Sequence, residues 1–182
     1  MGGRERAVQV LSTALKMEEK GRRYYQRAAA ESRNELARRI FQTLADEEEA
    51  HVEHLRRLWT ELDGGAHWGD GSLRNEVDEG LLQATTEDIR SFFSLVAHQH
   101  AASFQPEGDD LTALEMSIQF EERAVAFYQN QLDLADDPLE RRFLKVMIEE
   151  EREHHAALVE LRGFLGDKSA WLPGDGESDP DP

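Results

Sequence analysis

Residues 44–58 read LADEEEAHVEHLRRL, and residues 147–161 read MIEEEREHHAALVEL. In both stretches a Glu precedes a His by three positions, Glu48 with His51 and Glu151 with His154. The leucines Leu55 and Leu58 follow the first pair as Leu158 and Leu161 follow the second. The offset is 103 residues and it extends well upstream: Glu18 maps to Glu121, Tyr25 to Tyr128, Gln26 to Gln129, and Leu36-x-Arg38-Arg39 to Leu139-x-Arg141-Arg142. Periods of 20–50 residues point to solenoids. One long duplication in a single register predicts instead two similar halves packed about a pseudo-twofold axis.

Each half reads as a helical hairpin. Leu11, Ala14, Leu15, Glu18, Tyr25, Ala28 and Ala29 recur at helical spacing, and so do Leu36, Ile40, Leu44, Glu48, His51, Leu55 and Leu58. The second half repeats this with Leu111, Leu114, Ile118, Glu121, Val125, Tyr128 and Leu132, then Leu139, Phe143, Met147, Glu151, His154, Leu158 and Leu161. Asp137-Pro138 supplies an N-cap followed by proline at the first helical position, and its repeat mate Asn34 is another favoured N-cap. The short joints make the partners within each hairpin antiparallel. The expected fold is all-α: a four-helix bundle over residues 1–166, with repeat halves at about 8–62 and 111–165. A connection at 63–108 opens with a Gly/Asp-rich stretch and contains one short helix around Glu87–His100. Its length allows it to run along the bundle and make the second and third helices parallel. Residues 167–182 form an acidic tail that cannot build a core and is expected to be disordered.

Composition narrows the function classes. The 182 residues carry 21 Lys and Arg against 38 Asp and Glu, a net charge of −17. Such a surface repels nucleic acid and anionic lipid and attracts cations. Cysteine is absent, so disulfides, thiolate catalysis and iron–sulfur clusters are excluded for these residues. No apolar run has the length of a membrane span, and the N-terminus lacks the apolar core of a signal peptide. The expectation is a soluble, cytoplasmic protein with neither nucleic acid nor membrane as partner.

Glutamate belongs on the wet side of a bundle helix. Glu18, Glu48, Glu121 and Glu151 instead interrupt the apolar stripes. Four buried carboxylates in one core repel one another, and a cation cluster relieves the repulsion. The Glu-x-x-His spacing puts both side chains on one helix face, one turn apart. Carboxylate oxygens with imidazole, and no thiolate, suit iron or manganese. Two divalent ions would balance four carboxylates. One Glu from each of two helices plus Glu-x-x-His from each of the other two is the ligand pattern of carboxylate-bridged di-metal bundles. A lone Glu-x-x-His is weak evidence, and the glutamate runs at 47–49 and 149–151 are compatible with solvated helix faces. Two such pairs in matching phase, each preceded by an in-face Glu, are far more specific. The metal ligands expected are Glu18, Glu48, His51, Glu121, Glu151 and His154.

Other residues rank below these. Tyr25 and Tyr128 each follow an inner Glu on the same face, as hydrogen-bond partners of ligand carboxylates, as redox groups, or simply as core tyrosines. Glu47 and Glu150 are placed either to orient a histidine on a neighbouring helix or to face solvent. His54 and His155 have non-histidine repeat mates, Ala157 and Val52, while His67, His98 and His100 lie in the connection. These five are expected outside the ligand set.

At these residues the chain resembles the rubrerythrin branch of the ferritin-like superfamily. The resemblance spans roughly residues 8–165. It rests on Glu18 with Tyr24-Tyr25, on Leu44 to His51, on Glu121 with Phe127-Tyr128, and on Glu149 to His154. It implies a ferritin-like four-helix bundle with a long crossover and two iron ions, manganese being an alternative. By that analogy Glu48 and Glu151 bridge the metals, and Glu18, Glu121, His51 and His154 are terminal ligands. Many rubrerythrins carry a rubredoxin-like domain with four cysteines. This sequence has none, which implies a separate electron donor such as a rubredoxin-type protein.

Two function classes follow. One is an oxidoreductase that oxidises Fe(II) or reduces O2 or H2O2 at the dinuclear site. The other is an iron capture, storage or delivery module without catalytic turnover. The symmetry of the halves is compatible with a homodimer.

Overall fold

The computed structural model describes residues 3–75, 77 and 108–166. They form four long helices: α1 (Gly3–Glu31), α2 (Glu35–Asp63), α3 (Gly108–Leu134) and α4 (Pro138–Gly166). The all-α architecture matches the periodicity in the sequence. The short helix expected around Glu87–His100, and the tail at 167–182, lie outside the described residues.

The joints form where the sequence places their caps. Asn34 is extended, with φ −82° and ψ 124°, and its side chain accepts from the Ala37 N–H at 3.0 Å. Asp137 Oδ1 accepts from the Leu139 and Glu140 N–H groups at 2.7 and 3.2 Å, with Pro138 between them needing no partner. A helix end leaves its last carbonyls without intrahelical donors. Arginines supply them here: Arg4 reaches Leu62 O at 2.9 Å and Asp63 O at 3.0 Å, while Arg141 reaches Leu132 O and Ala135 O, both at 2.8 Å. Gly65, at φ 111°, turns the chain away after α2 in a conformation that only glycine adopts freely.

Within each hairpin the helices are antiparallel, as the Arg4–Leu62 contact between the start of α1 and the end of α2 requires. Across the hairpins, α1 runs antiparallel to α3, since Tyr24 meets Ala113 while Glu18 meets Tyr128. Likewise α2 runs antiparallel to α4, since Glu47 meets His154 while His51 meets Glu150. It follows that α2 and α3 are parallel, as the long connection allows. The start of the connection packs on the bundle: residues 71–75 are helical, and Trp68, Leu73 and Val77 are buried beside Leu55, Leu58, Leu62 and Phe143.

The apolar core falls into two clusters. One holds Phe41, Leu44, Leu114, Leu158, Leu161 and Phe164, and the other Leu11, Leu55, Leu58, Leu62, Phe143 and Met147. Between them the helices contribute glutamates and histidines instead of leucines. The polar layer is thus flanked by apolar side chains on both sides. No helix among the described residues is long and apolar enough to cross a membrane.

Candidate metal centre

Glu18, Glu48, Glu121 and Glu151 have no exposed surface. Each helix contributes one of them, and the Glu-x-x-His spacing adds His51 from α2 and His154 from α4. The six residues fall into two groups: Glu18, Glu48, His51 and Glu151, and Glu48, Glu121, Glu151 and His154. Within a group, one donor atom from each residue lies within 4.8 Å of all the others. Glu48 and Glu151 belong to both groups. All six residues expected as ligands from the sequence are therefore brought together, and the two glutamates assigned as bridges are the two that the groups share.

The side chains are supported in a way that respects the repeat. Tyr25 Oη donates to Glu121, and Tyr128 Oη donates to Glu18, so each α1 or α3 glutamate is held by the tyrosine of the opposite half. His154 Nε2 lies 2.8 Å from Glu47, and His51 Nε2 lies 3.1 Å from Glu150. A carboxylate at Nε2 keeps the proton there and leaves the Nδ1 lone pair free. Nδ1 of His51 is 3.7 Å from Glu48 and 3.8 Å from Glu151, while Nδ1 of His154 is 3.5 and 3.6 Å from the same two residues. Both Nδ1 atoms thus face the shared carboxylates.

Electrostatics describe a cluster short of positive charge. Burial, and then the neighbouring Glu151 and Glu48, push the Glu18 carboxyl well above the usual range. Burial and Glu151 do the same to Glu121. Burial also opposes charge on Glu48, but the imidazoles of His154 and His51 outweigh it and hold that carboxyl low. Burial lowers both imidazoles, yet their carboxylate neighbours raise them well above their ordinary value: Glu150 and Glu48 for His51, Glu151, Glu47 and Glu48 for His154. Burial and the charges of Glu18 and Glu151 raise the Tyr128 phenol, so it stays a donor. Protons here stand in for cation charge.

The donor atoms fit metal. Oε2 of Glu18 and of Glu121, both carboxylate oxygens of Glu48 and of Glu151, and Nδ1 of both histidines are buried without a hydrogen-bond partner. Buried polar atoms are normally paired. Unpartnered buried atoms also occur on Arg6, Arg22, Trp59 and Trp68, but among the described residues it is those of the six converging residues that form metal-capable groups.

Residues 9–78 match the family model for rubrerythrin. Over this stretch the chain is similar to rubrerythrin. Comparisons with curated proteins and with solved structures give no match. The matched stretch contains Glu18, Glu48 and His51, and the internal repeat carries the same pattern on to Glu121, Glu151 and His154.

Where they are described, the remaining histidines lie elsewhere. His54 packs its ring on Phe143 with centroids 6.0 Å apart, and His155 faces Glu122 on α3 at 3.5 Å. His67 is exposed. None of these three belongs to either metal-capable group among the described residues. His98 and His100 lie outside the described residues. Two further residues shape the surroundings of the site. Tyr24 ties α1 to α3 through Ala113 O at 2.9 Å, and Gly21 lets the Phe120 ring approach α1 beside Glu48. Comparing the repeats shows the second, because Gly21 and Phe120 have Ala124 and Met17 as mates.

Proposed function

We propose that this chain holds two iron ions between Glu48 and Glu151, with Glu18 and His51 completing one position and Glu121 and His154 the other. Its proposed activity is that of an oxidoreductase that oxidises Fe(II) or reduces peroxide or O2. The observation that carries the reading is the convergence of unpartnered buried oxygen and nitrogen atoms in two groups that share two carboxylates. When bound, the ferrous pair supplies two electrons, one from each ion, to the oxidant.

The protein's own part is positional. Tyr25 and Tyr128 fix one oxygen of Glu121 and of Glu18 and leave the other turned inward. Glu47 and Glu150 hold the imidazole tautomer that offers Nδ1. The apolar clusters on either side limit water, which strengthens every charge interaction within. Manganese would fit the same donors. Because none of the 182 residues is cysteine, the proposal includes a separate electron donor, of the rubredoxin type, for repeated turnover with peroxide.

Anaerobic Fe(II) titration of the metal-free chain, followed by spectra after O2 and separately after H2O2, tests this. Two irons per chain and an oxo-bridged diferric absorption are expected, and the faster oxidant identifies the reaction. Two irons bound without turnover would favour capture or delivery. One weakly held ion, or none, would refute the di-metal reading.

A further inference from the structure

The two halves share one pattern, so departures from it are informative. All four inner glutamates are wholly buried, and the difference between the two metal positions lies around them. The His51 side chain is 12% exposed, against 3% for His154. His51 is also held less closely, at 3.1 Å from Glu150, where His154 is 2.8 Å from Glu47. A further difference comes one turn after the inner glutamates of α1 and α3. After Glu121 stands Ala124, fully buried. After Glu18 stands Gly21, where a methyl group would sit 2.8 Å from the Phe120 ring and 3.5 Å from the carboxyl carbon of Glu48. On this side a half-buried phenyl ring takes the place of a fixed methyl group beside a bridging carboxylate. A ring on rotatable bonds can swing aside, whereas a Cβ fixed to the helix cannot.

We infer that the two positions exchange their ions differently: a divalent cation enters and leaves at Glu18–Glu48–His51–Glu151, beside Gly21 and Phe120, while Glu48–Glu121–Glu151–His154 retains its ion. This rests on the di-metal reading and deepens it by naming which position handles iron as substrate. Release of a metal proceeds ligand by ligand, with water filling each vacated place. Water reaches His51 more readily than His154, and displacement of Phe120 opens the space at Gly21, one turn after Glu18, which belongs to this position alone.

Cobalt(II) is a suitable probe because its visible spectrum reports each bound ion. The metal-free full chain is loaded with two Co(II) and mixed with excess EDTA. Two phases of equal amplitude are expected, one fast and one slow. His51→Ala should remove the fast phase and His154→Ala the slow one. Phe120→Ala should speed the fast phase about tenfold, the equivalent of about 1.4 kcal/mol, without moving the slow one. Phe120→Leu, which keeps an apolar side chain and guards against loss of fold, should act in the same direction but less. A single phase for both ions, a fast phase that survives in His51→Ala, or equal acceleration of both phases by Phe120→Ala would overturn the inference. Failure to bind two Co(II) at all would count against the di-metal reading itself, whereas two ions that bind and leave together would sink only the order of exchange.

Discussion

Replacing Glu47 with alanine takes away the carboxylate 2.8 Å from Nε2 of His154. The imidazole is 3% exposed, so water does not readily take over as acceptor, while Glu47 itself is 31% exposed and its loss leaves little cavity. The Nε2 proton then has no acceptor. Once the ring gives up one of its two protons to bind metal, the proton that stays gains by sitting on Nδ1, which faces Glu48 and Glu151 at 3.5 and 3.6 Å. A protonated Nδ1 cannot bind metal. Loss of such an outer partner weakens metal binding by about ten- to a hundredfold, or about 1.4–2.8 kcal/mol. The loss should fall on the His154 position and leave the His51 position nearly unchanged. Competition with a chromophoric chelator measures it position by position. Glu47→Gln keeps an oxygen acceptor without the charge and should restore most of the affinity. Unchanged affinity in Glu47→Ala, or equal losses in the alanine and glutamine variants, would refute the tautomer argument.

Glu48→Ala and Glu151→Ala each remove a residue common to both groups, so metal analysis should show two-metal binding abolished, and retained two-metal occupancy would contradict the shared role. Asn34→Ala removes the cap of α2 and should cost about 1 kcal/mol in urea unfolding of the metal-free chain. Arg6→Ala should act in a pH-dependent way. Burial raises the Glu140 carboxyl even with Arg6 beside it, so ionised Glu140 costs stability, and that cost is absent below its unfolded pKa and appears as pH rises through the folded one. Without Arg6 the folded pKa rises further, and the variant's deficit should be small near pH ~4 and grow to about 2 kcal/mol at neutral pH, as read from unfolding curves at each pH.

The sequence revealed most about the parts that depend on spacing along one chain. Helical period, capping residues and the Glu-x-x-His phase are local, so four helices and six converging residues could be read from them. The roles of Glu47 and Glu150 were undecided because each contacts the histidine of another helix. Their contacts exist only because α2 and α4 run antiparallel with residue 47 level with 154. Tyr25 and Tyr128 were ambiguous for the same reason, since each acts on the glutamate of the opposite half. Gly21 was harder still: its importance lies in what approaches it, and nothing in the residues beside it specifies Phe120. Trp68, Leu73 and Val77, which carry the start of the connection onto the bundle, sit in a Gly/Asp-rich context too irregular to show periodicity.

Each of the two metal-capable groups takes three residues from one hairpin and a single carboxylate from the other. An ion bound there is therefore a fastener between two pieces of protein that could otherwise drift apart. A chain cut in the connection would become a pair of complementary fragments whose association tightens with metal concentration, because only the joined form offers complete coordination. Loading and assembly would then be one equilibrium, and a single hairpin in two copies would already hold the parts needed to make the whole.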